Sequence, residues 1–142
     1  MSEYKIITDS TADLTPEMEK EFNVHVIPME FNVNNKQYLH YSDERELKTR
    51  DFYGLLREGK FSTTAQINPS KFEDVFEPYL KDGCDIFYLA FSSGLSGTYN
   101  NSLVAAQALM EKYPNRKIIC VDSLSESLGE GLLCYYAVQK KN

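Results

Sequence analysis

Residues 85–99 read Asp-Ile-Phe-Tyr-Leu-Ala-Phe-Ser-Ser-Gly-Leu-Ser-Gly-Thr-Tyr. The first part, residues 85–91, is almost continuously apolar and does not alternate with polar residues. A strand has that pattern when helices cover both of its faces, as in a parallel sheet. The second part turns abruptly to hydroxyls, with Gly94 and Gly97 among them. Beyond Gly97, Leu103, Ala106, Leu109 and Met110 recur at helical spacing until Pro114 stops the pattern. Strand, hydroxyl-rich turn and helix in succession form the building unit of an α/β fold.

The same unit recurs on either side. Residues 117–121 form a second nearly continuous apolar run, and residues 4–8 form a short β-rich segment. Residues 24–31 are β-rich but contain Pro28, which places that strand at an edge or forces a bulge. Helices fit between the strands. Thr15-Pro16 is an N-cap and first-turn pair, with Met18 and Phe22 on one face. Residues 49–58 group Phe52, Leu55 and Leu56 and stop at Gly59. Asn68-Pro69 opens a helix bearing Phe72, Val75, Phe76, Tyr79 and Leu80, in which Pro78 predicts a kink or an early end. A last helix begins near Ser125 and is still apolar at Tyr135, Tyr136, Ala137 and Val138, which suggests a shortened chain. Residues 32–48, with Asn34-Asn35 and little periodicity, predict a hairpin or loop excursion. The expected fold is a three-layer α/β/α domain with a mostly parallel sheet of about four strands, residues 1–142 forming a single domain.

Composition limits the function classes. With 142 residues, 42% hydrophobic and 25% charged, the chain has enough apolar surface for one core and not for two full domains. A net charge of −6 disfavours nucleic acid and anionic membranes as partners. No stretch approaches the ~18–20 apolar residues of a membrane span, and no secretory leader is visible at the start. Three widely spaced cysteines, Cys84, Cys120 and Cys134, read as free thiols, with Cys120 buried in an apolar run. A reducing cytoplasm fits them.

In open parallel sheets, ligands sit beyond the carboxyl ends of the strands. Four segments qualify: Asp9-Ser10-Thr11-Ala12-Asp13, Ser62-Thr63-Thr64-Ala65-Gln66, Ser92-Ser93-Gly94-Leu95-Ser96-Gly97-Thr98, and Asp122-Ser123-Leu124-Ser125. Hydroxyls and free helix N-terminal amides can hold a carboxylate or a phosphate, and the glycines let backbone approach a ligand. Helix capping explains any one of these residues; Ser92, Ser93, Ser96 and Thr98 together exceed what one helix start needs. Ser10, Thr64, Ser93 and Ser123 are expected on one edge of the sheet.

Familiar catalytic signatures are incomplete. The chain has no P-loop pattern. Gly94-Leu95-Ser96-Gly97 resembles a nucleophile elbow, but the elbow would need glycine where Thr98 stands. Gly129-Glu130-Gly131 starts a dinucleotide fingerprint, but Cys134 takes the place of the last glycine. It lies within a helical pattern, where a tight helix contact is the simpler reading. His25 is expected as an edge or surface side chain, and His40 sits in the polar excursion. Neither has metal-ligand spacing to cysteine or carboxylate, so no metal site is expected. No base is placed beside any serine. Hydrolytic catalysis is therefore not expected, nor is a cofactor; a ligand-binding protein and a phosphate-binding enzyme both remain open from the residues alone.

Five blocks in order resemble the DegV family of bacterial fatty-acid-binding proteins. They are Asp9-Ser10-Thr11-Ala12-Asp13-Leu14, Val26-Ile27-Pro28-Met29, Thr63-Thr64-Ala65-Gln66, Ser92-Ser93-Gly94-Leu95-Ser96-Gly97-Thr98-Tyr99, and Asp122-Ser123 followed by Ser127, Gly129 and Gly131. The resemblance implies a lipid carrier. Its hydroxyls would hold an acyl carboxylate and present the fatty acid to a separate fatty acid kinase subunit. By motif position, Thr64 and Ser93 are the foremost carboxylate contacts; Thr63 and Ser96 come next, and Gly94 and Ser10 complete the expected ligand-binding set. The chain departs from the family pattern at Ala65-Gln66-Ile67-Asn68, where a hydroxyl is lost and the proline is displaced to Pro69. The resemblance also implies a second, lipid-covering domain beyond residue 142. Two other readings stand beside this one: an enzyme subunit that binds a phosphate ligand through the same loops, and a shortened domain that retains no ligand. An apolar patch around Leu132, Leu133, Tyr135 and Tyr136 further predicts either a homodimer or a monomer in which the patch folds over the empty lipid groove.

Overall fold

The computed structural model describes residues 3–142. β1 (Tyr4–Asp9) runs into a 3-10 turn at Ser10–Ala12, and α1 (Pro16–Phe22) leads to β2 (His25–Ile27). An antiparallel excursion follows, made of β3 (Met29–Val33) and β4 (Lys36–His40), then α2 (Thr49–Arg57) and β5 (Ser62–Ala65). α3 (Pro69–Lys81), β6 (Asp85–Ala90), α4 (Thr98–Lys112), β7 (Ile118–Asp122) and α5 (Ser127–Lys141) complete the chain.

The main sheet has the order β2-β1-β6-β7 and is parallel throughout. Alternation along its strands separates two cores. Ile7, Ile86, Tyr88, Ala90 and Ile118 face α3 and α4, meeting Phe72, Phe76, Leu80, Ala105, Ala106 and Leu109. Ile6 and Leu89, with Phe87 and Val121, face the other way and meet Cys134 and Val138 of α5 and Phe22 of α1. Two-sided burial is why β6 carries the uninterrupted apolar run. The three-layer α/β/α domain with four parallel strands is therefore present.

The excursion is more regular than the sequence suggested. β4-β3-β5 form a second, antiparallel sheet. Asn34 and Asn35 both have positive φ, 51° and 59°, the backbone of a two-residue hairpin turn whose twist matches the strands. The expected single strand over residues 24–31 is in fact two strands, which belong to different sheets. Pro28 lies between β2 and β3; without an N–H it cannot continue the parallel ladder. The hydroxyl-rich segment before Asn68, expected beyond a strand end, is itself strand β5, because Thr63 and Thr64 pair with Asn32 and Phe31. Pro78 does not end α3, which continues to Lys81.

Two further details differ from expectation or refine it. Cys120 is half-buried rather than buried. His25 does lie on the edge strand, but it packs on Tyr79, with Nδ1 2.8 Å from the phenol oxygen. The Gly129-Glu130-Gly131 segment is the tight contact that its helical setting implied. A Cβ on Gly131 would stand 2.7 Å from the Ala12 carbonyl oxygen, so only glycine lets α5 lie against the 3-10 turn.

Candidate functional site

The order β2-β1-β6-β7 places a switch point between β1 and β6. After β1 the chain crosses to β2 on one side; after β6 it crosses to β7 on the other. The loops diverge there and leave a crevice at the carboxyl ends. Asp9 closes β1 at this crevice and is fully buried. One carboxylate oxygen, Oδ2, accepts from the Tyr88 hydroxyl at 2.7 Å and the Phe91 N–H at 2.9 Å. Oδ1 accepts from the Thr11 N–H at 3.2 Å and closely from the Thr11 hydroxyl. Asp9 therefore draws the first turn after β1 and the first residue after β6 around one side chain.

Glu130 of α5 joins this cluster and is also fully buried. Its Oε1 lies 3.2 Å from the Thr8 hydroxyl and its Oε2 2.5 Å from the Thr11 hydroxyl. Burial, reinforced by the charge of Asp9, pushes the Glu130 carboxyl up to about 9. Burial and then Asp9 also push the Tyr88 phenol well above its ordinary value. Sequence reasoning placed neither Asp9 nor Glu130 in a shared unit. They are 121 positions apart (130 − 9), and Glu130 stood out only as the residue between two glycines in a helical pattern.

The hydroxyl loops are sorted by their partners. Ser10 is buried, and its oxygen accepts the Met29 N–H at 2.9 Å, tying the second sheet to the first. Ser123 exchanges short-range bonds with the backbone of Ser125. Thr98 is fully buried, accepts the Ile67 N–H at 3.2 Å, and so anchors the strand that carries Thr64 to α4. Ser96 accepts from the Thr98 N–H at 3.2 Å, a local turn just before α4. Ser93 is exposed and bound to Asp122, its N–H donating to Oδ1 at 3.1 Å. Burial opposes ionisation of Asp122. Hydrogen bonds from the Ser93 hydroxyl and from the Leu124 and Ser93 N–H groups outweigh it and hold the carboxyl below its ordinary range.

Two adjoining depressions share Met29, Thr64 and Phe91. The first is a groove of about 390 Å³ between the second sheet, α2 and the end of β1. Its apolar wall includes Phe31, Leu39 and Phe52, with Phe52 edge-on to Phe31 at 5.5 Å. Thr11, Tyr41, Ser62 and Thr64 add hydroxyls. The second depression runs from Thr64 past Gln66 to Ser96 and Gly97. A Cβ on Gly97 would meet the Gln66 side-chain oxygen at 2.1 Å, so glycine there leaves room for that amide.

Of the residues expected to contact a ligand, the structure brings Thr64 and Ser96 to a common depression. Thr63 is exposed but does not line it, because neighbouring strand residues point to opposite faces. Ser93 and Gly94 stand outside it on the exposed loop, and Ser10 is behind it beneath β3. On the expected sheet edge, Ser10, Ser93 and Ser123 follow the carboxyl ends of β1, β6 and β7, while Thr64 belongs to the second sheet. The wall residues Phe31, Phe52 and Phe91 escaped sequence reasoning, since an aromatic residue in a strand or helix reads first as core. Among the described residues, no lysine or arginine lines either depression, no group of side chains suits a metal ion, and no helix is long and apolar enough to cross a membrane.

Comparison with known proteins agrees with this architecture. The model of the DegV family, whose description is that of an uncharacterised protein family, matches residues 3–140. A DegV domain-containing protein of Clostridium perfringens is 46% identical over 141 residues, covering 99% of this chain and 48% of that protein. A solved DegV family protein of Thermus thermophilus, described by its fatty acid binding, is 30% identical with a TM-score of 0.83; the match covers 98% of this chain and 47% of that one. A DegV family protein of Ruminococcus gnavus solved with vaccenic acid is 26% identical with a TM-score of 0.82, covering 97% and 48%. The chain thus spans about half the length of the relatives it matches. With the fold, the order of its motifs and the family match in agreement, the chain belongs to the DegV family.

Proposed function

We propose that this protein binds a long-chain fatty acid, with the acyl chain along the groove wall and the carboxylate at the hydroxyls around Thr64. The observation that carries this reading is the lining itself: an aromatic and aliphatic wall in the groove, which leads to neutral hydroxyl and amide donors at Thr64, Gln66 and Ser96, with no lysine or arginine in the lining among the described residues. Such a lining suits an amphipathic monoanion. It suits a phosphate dianion poorly, because Asp13, Glu30 and Glu44 also line the groove and no arginine or lysine offsets them. Each methylene buried along the wall contributes about 0.8 kcal/mol. The fatty acids named for the solved relatives support the same choice.

Thr64 and Ser96 are assigned the carboxylate; Thr63, Ser93, Gly94 and Ser10 shape or support the loops around it. The protein acts as a carrier rather than a catalyst, in the cytoplasm, and hands the acyl group to a fatty acid kinase subunit; the family resemblance supports that step. Residues 1–142 act as a single unit in binding. Native mass spectrometry after incubation with an equimolar series of C14–C18 fatty acids and hexadecyl phosphate tests the reading. Retention of the carboxylates over the phosphate is expected. Preferential retention of the phosphate would overturn it. Adding a fatty acid kinase subunit and ATP to the loaded protein tests the transfer step, with acyl phosphate as the expected product.

A further inference from the structure

Thr11 stands between two carboxyl groups. Its hydroxyl oxygen is within hydrogen-bond distance of Asp9 Oδ1 and of Glu130 Oε2, the latter at 2.5 Å. A threonine hydroxyl has one proton to donate. It can satisfy one carboxylate; the other contact then needs a proton of its own, or two oxygen lone pairs oppose each other at close range. The other oxygen of Glu130 is similarly placed. Thr8 Oγ1 lies 3.2 Å from Oε1 and also 2.9 Å from the Leu89 carbonyl, again with one proton for two acceptors. Asp9 has its own donors in Tyr88, Phe91 and the Thr11 N–H. Glu130 has none to spare.

We propose that Asp9 and Glu130 share a proton carried on Glu130 Oε2, which donates to Thr11 while Thr11 donates to Asp9, and that this chain positions the groove-lining Thr11 and Phe91. Glu130 is a positioning residue that acts through Thr11. The relay latches α5 to the turn after β1, where the Gly131 contact on Ala12 already leaves no slack. It also leaves the buried pair with one negative charge rather than two beneath a site proposed to take an anion.

The ionisable groups that face the pair come from each packed element. They are Asp9 from β1, Tyr88 from β6 and Cys134 on α5 itself, with Cys120 of β7 beyond Tyr88. At the turn, Asp13 accepts from the Ser127 hydroxyl at 2.7 Å. Burial and then Glu130 push the Cys134 thiol up to about 12. Among the described residues, none of these neighbours is basic, and neither carboxyl belongs to an ion pair. A second negative charge on the pair would therefore find no compensation.

The folded carboxyl is raised from about 4.5 to about 9. Its contribution is complete below the unfolded value and is lost as pH rises through the folded one. One proton held only by the folded state costs about tenfold in the folding equilibrium per pH unit across that window.

The test compares wild type with Glu130→Gln, whose amide donates to Thr11 permanently. Chemical denaturation from pH 5 to 9 without ligand should show the tenfold-per-unit decline in wild type relative to the variant. Carbon-13 titration of glutamate-labelled wild type should show one carboxyl that remains protonated past pH 7. Parallel stability profiles, or all glutamates titrating in the ordinary range, would overturn the proposal; the carbon-13 arm decides even if the variant does not fold. A separate arm rests on the fatty-acid reading: palmitate affinity should fall between pH 7 and 10 in wild type and not in Glu130→Gln. Failure of both proteins to bind palmitate at any pH would count against that reading alone, since the first two arms use no ligand.

Discussion

Thr64 and Ser93 offer the same hydroxyl chemistry from unequal positions. Thr64 lines both depressions, whereas Ser93 lies outside both, its N–H held by Asp122. Thr64→Val keeps the branched shape that a strand favours and removes the donor. Palmitate affinity, measured by calorimetric titration, should fall by about 1.5–3 kcal/mol, the range for a hydrogen bond to a charged group. Ser93→Ala should cost less than about 1 kcal/mol; a larger loss than for Thr64→Val would move the carboxylate to the Ser93 loop. Gly131→Ala forces a methyl group to within 2.7 Å of a backbone oxygen that has little room to yield. It should lower stability by about 1–3 kcal/mol in urea denaturation. Gly54→Ala is the contrasting case. No atom lies within 4 Å of the added carbon, and alanine in a helix interior should add about 0.5–1 kcal/mol.

At the scale of elements, the placing of Thr64 depends on what holds β5. The strand pairs with β3 on one side only, and its exit is fixed by Thr98 and by Asn101, whose side-chain amide donates to the Ile67 carbonyl at 2.9 Å. Asn68 follows at once and caps α3, its side-chain oxygen accepting the Lys71 N–H at 2.9 Å. Asn68→Ala should cost about 1 kcal/mol of stability, the usual value of an N-cap, read as a lower urea midpoint with an unchanged slope. Asn68→Asp should restore it, since an aspartate caps equally well. If both variants lose stability alike, the residue acts through something other than its cap.

For the whole molecule, the outer face of α5 carries an exposed apolar stripe. Leu128, Leu132 and Tyr136 are spaced by four residues and are 75%, 53% and 54% exposed. Glu126 lies at one end of this stripe, and Lys140 and Lys141 at the other. An antiparallel pairing of two copies about a two-fold axis would set unlike charges together at both ends while covering the leucines. Sedimentation over a concentration range should show a monomer–dimer equilibrium that Leu132→Lys abolishes. Wild type remaining monomeric at the highest concentration would rule out the self-association expected from the Leu132, Leu133, Tyr135 and Tyr136 patch.

Strand β6, the hydroxyl turn after it and helix α4 were legible in residues 85–99 because burial on both faces leaves a local mark, an apolar run ended by turn residues. The helix start at Asn68 and the glycine contact in α5 were legible from local residue types, while residues 32–48 were legible only as a hairpin or a loop. The hydroxyl-rich loops were legible too, as a set. What the sequence could not sort was the role of each hydroxyl within that set, because capping, anchoring and ligand contact use the same residue types. Only the tertiary structure showed that Ser10 supports Met29, Thr98 anchors Ile67, Ser93 serves Asp122 and Thr64 faces the groove. Only the fold could set Glu130 beside Asp9 and Thr11, because hydrogen bonds between residues more than a hundred positions apart leave no periodic trace in the chain.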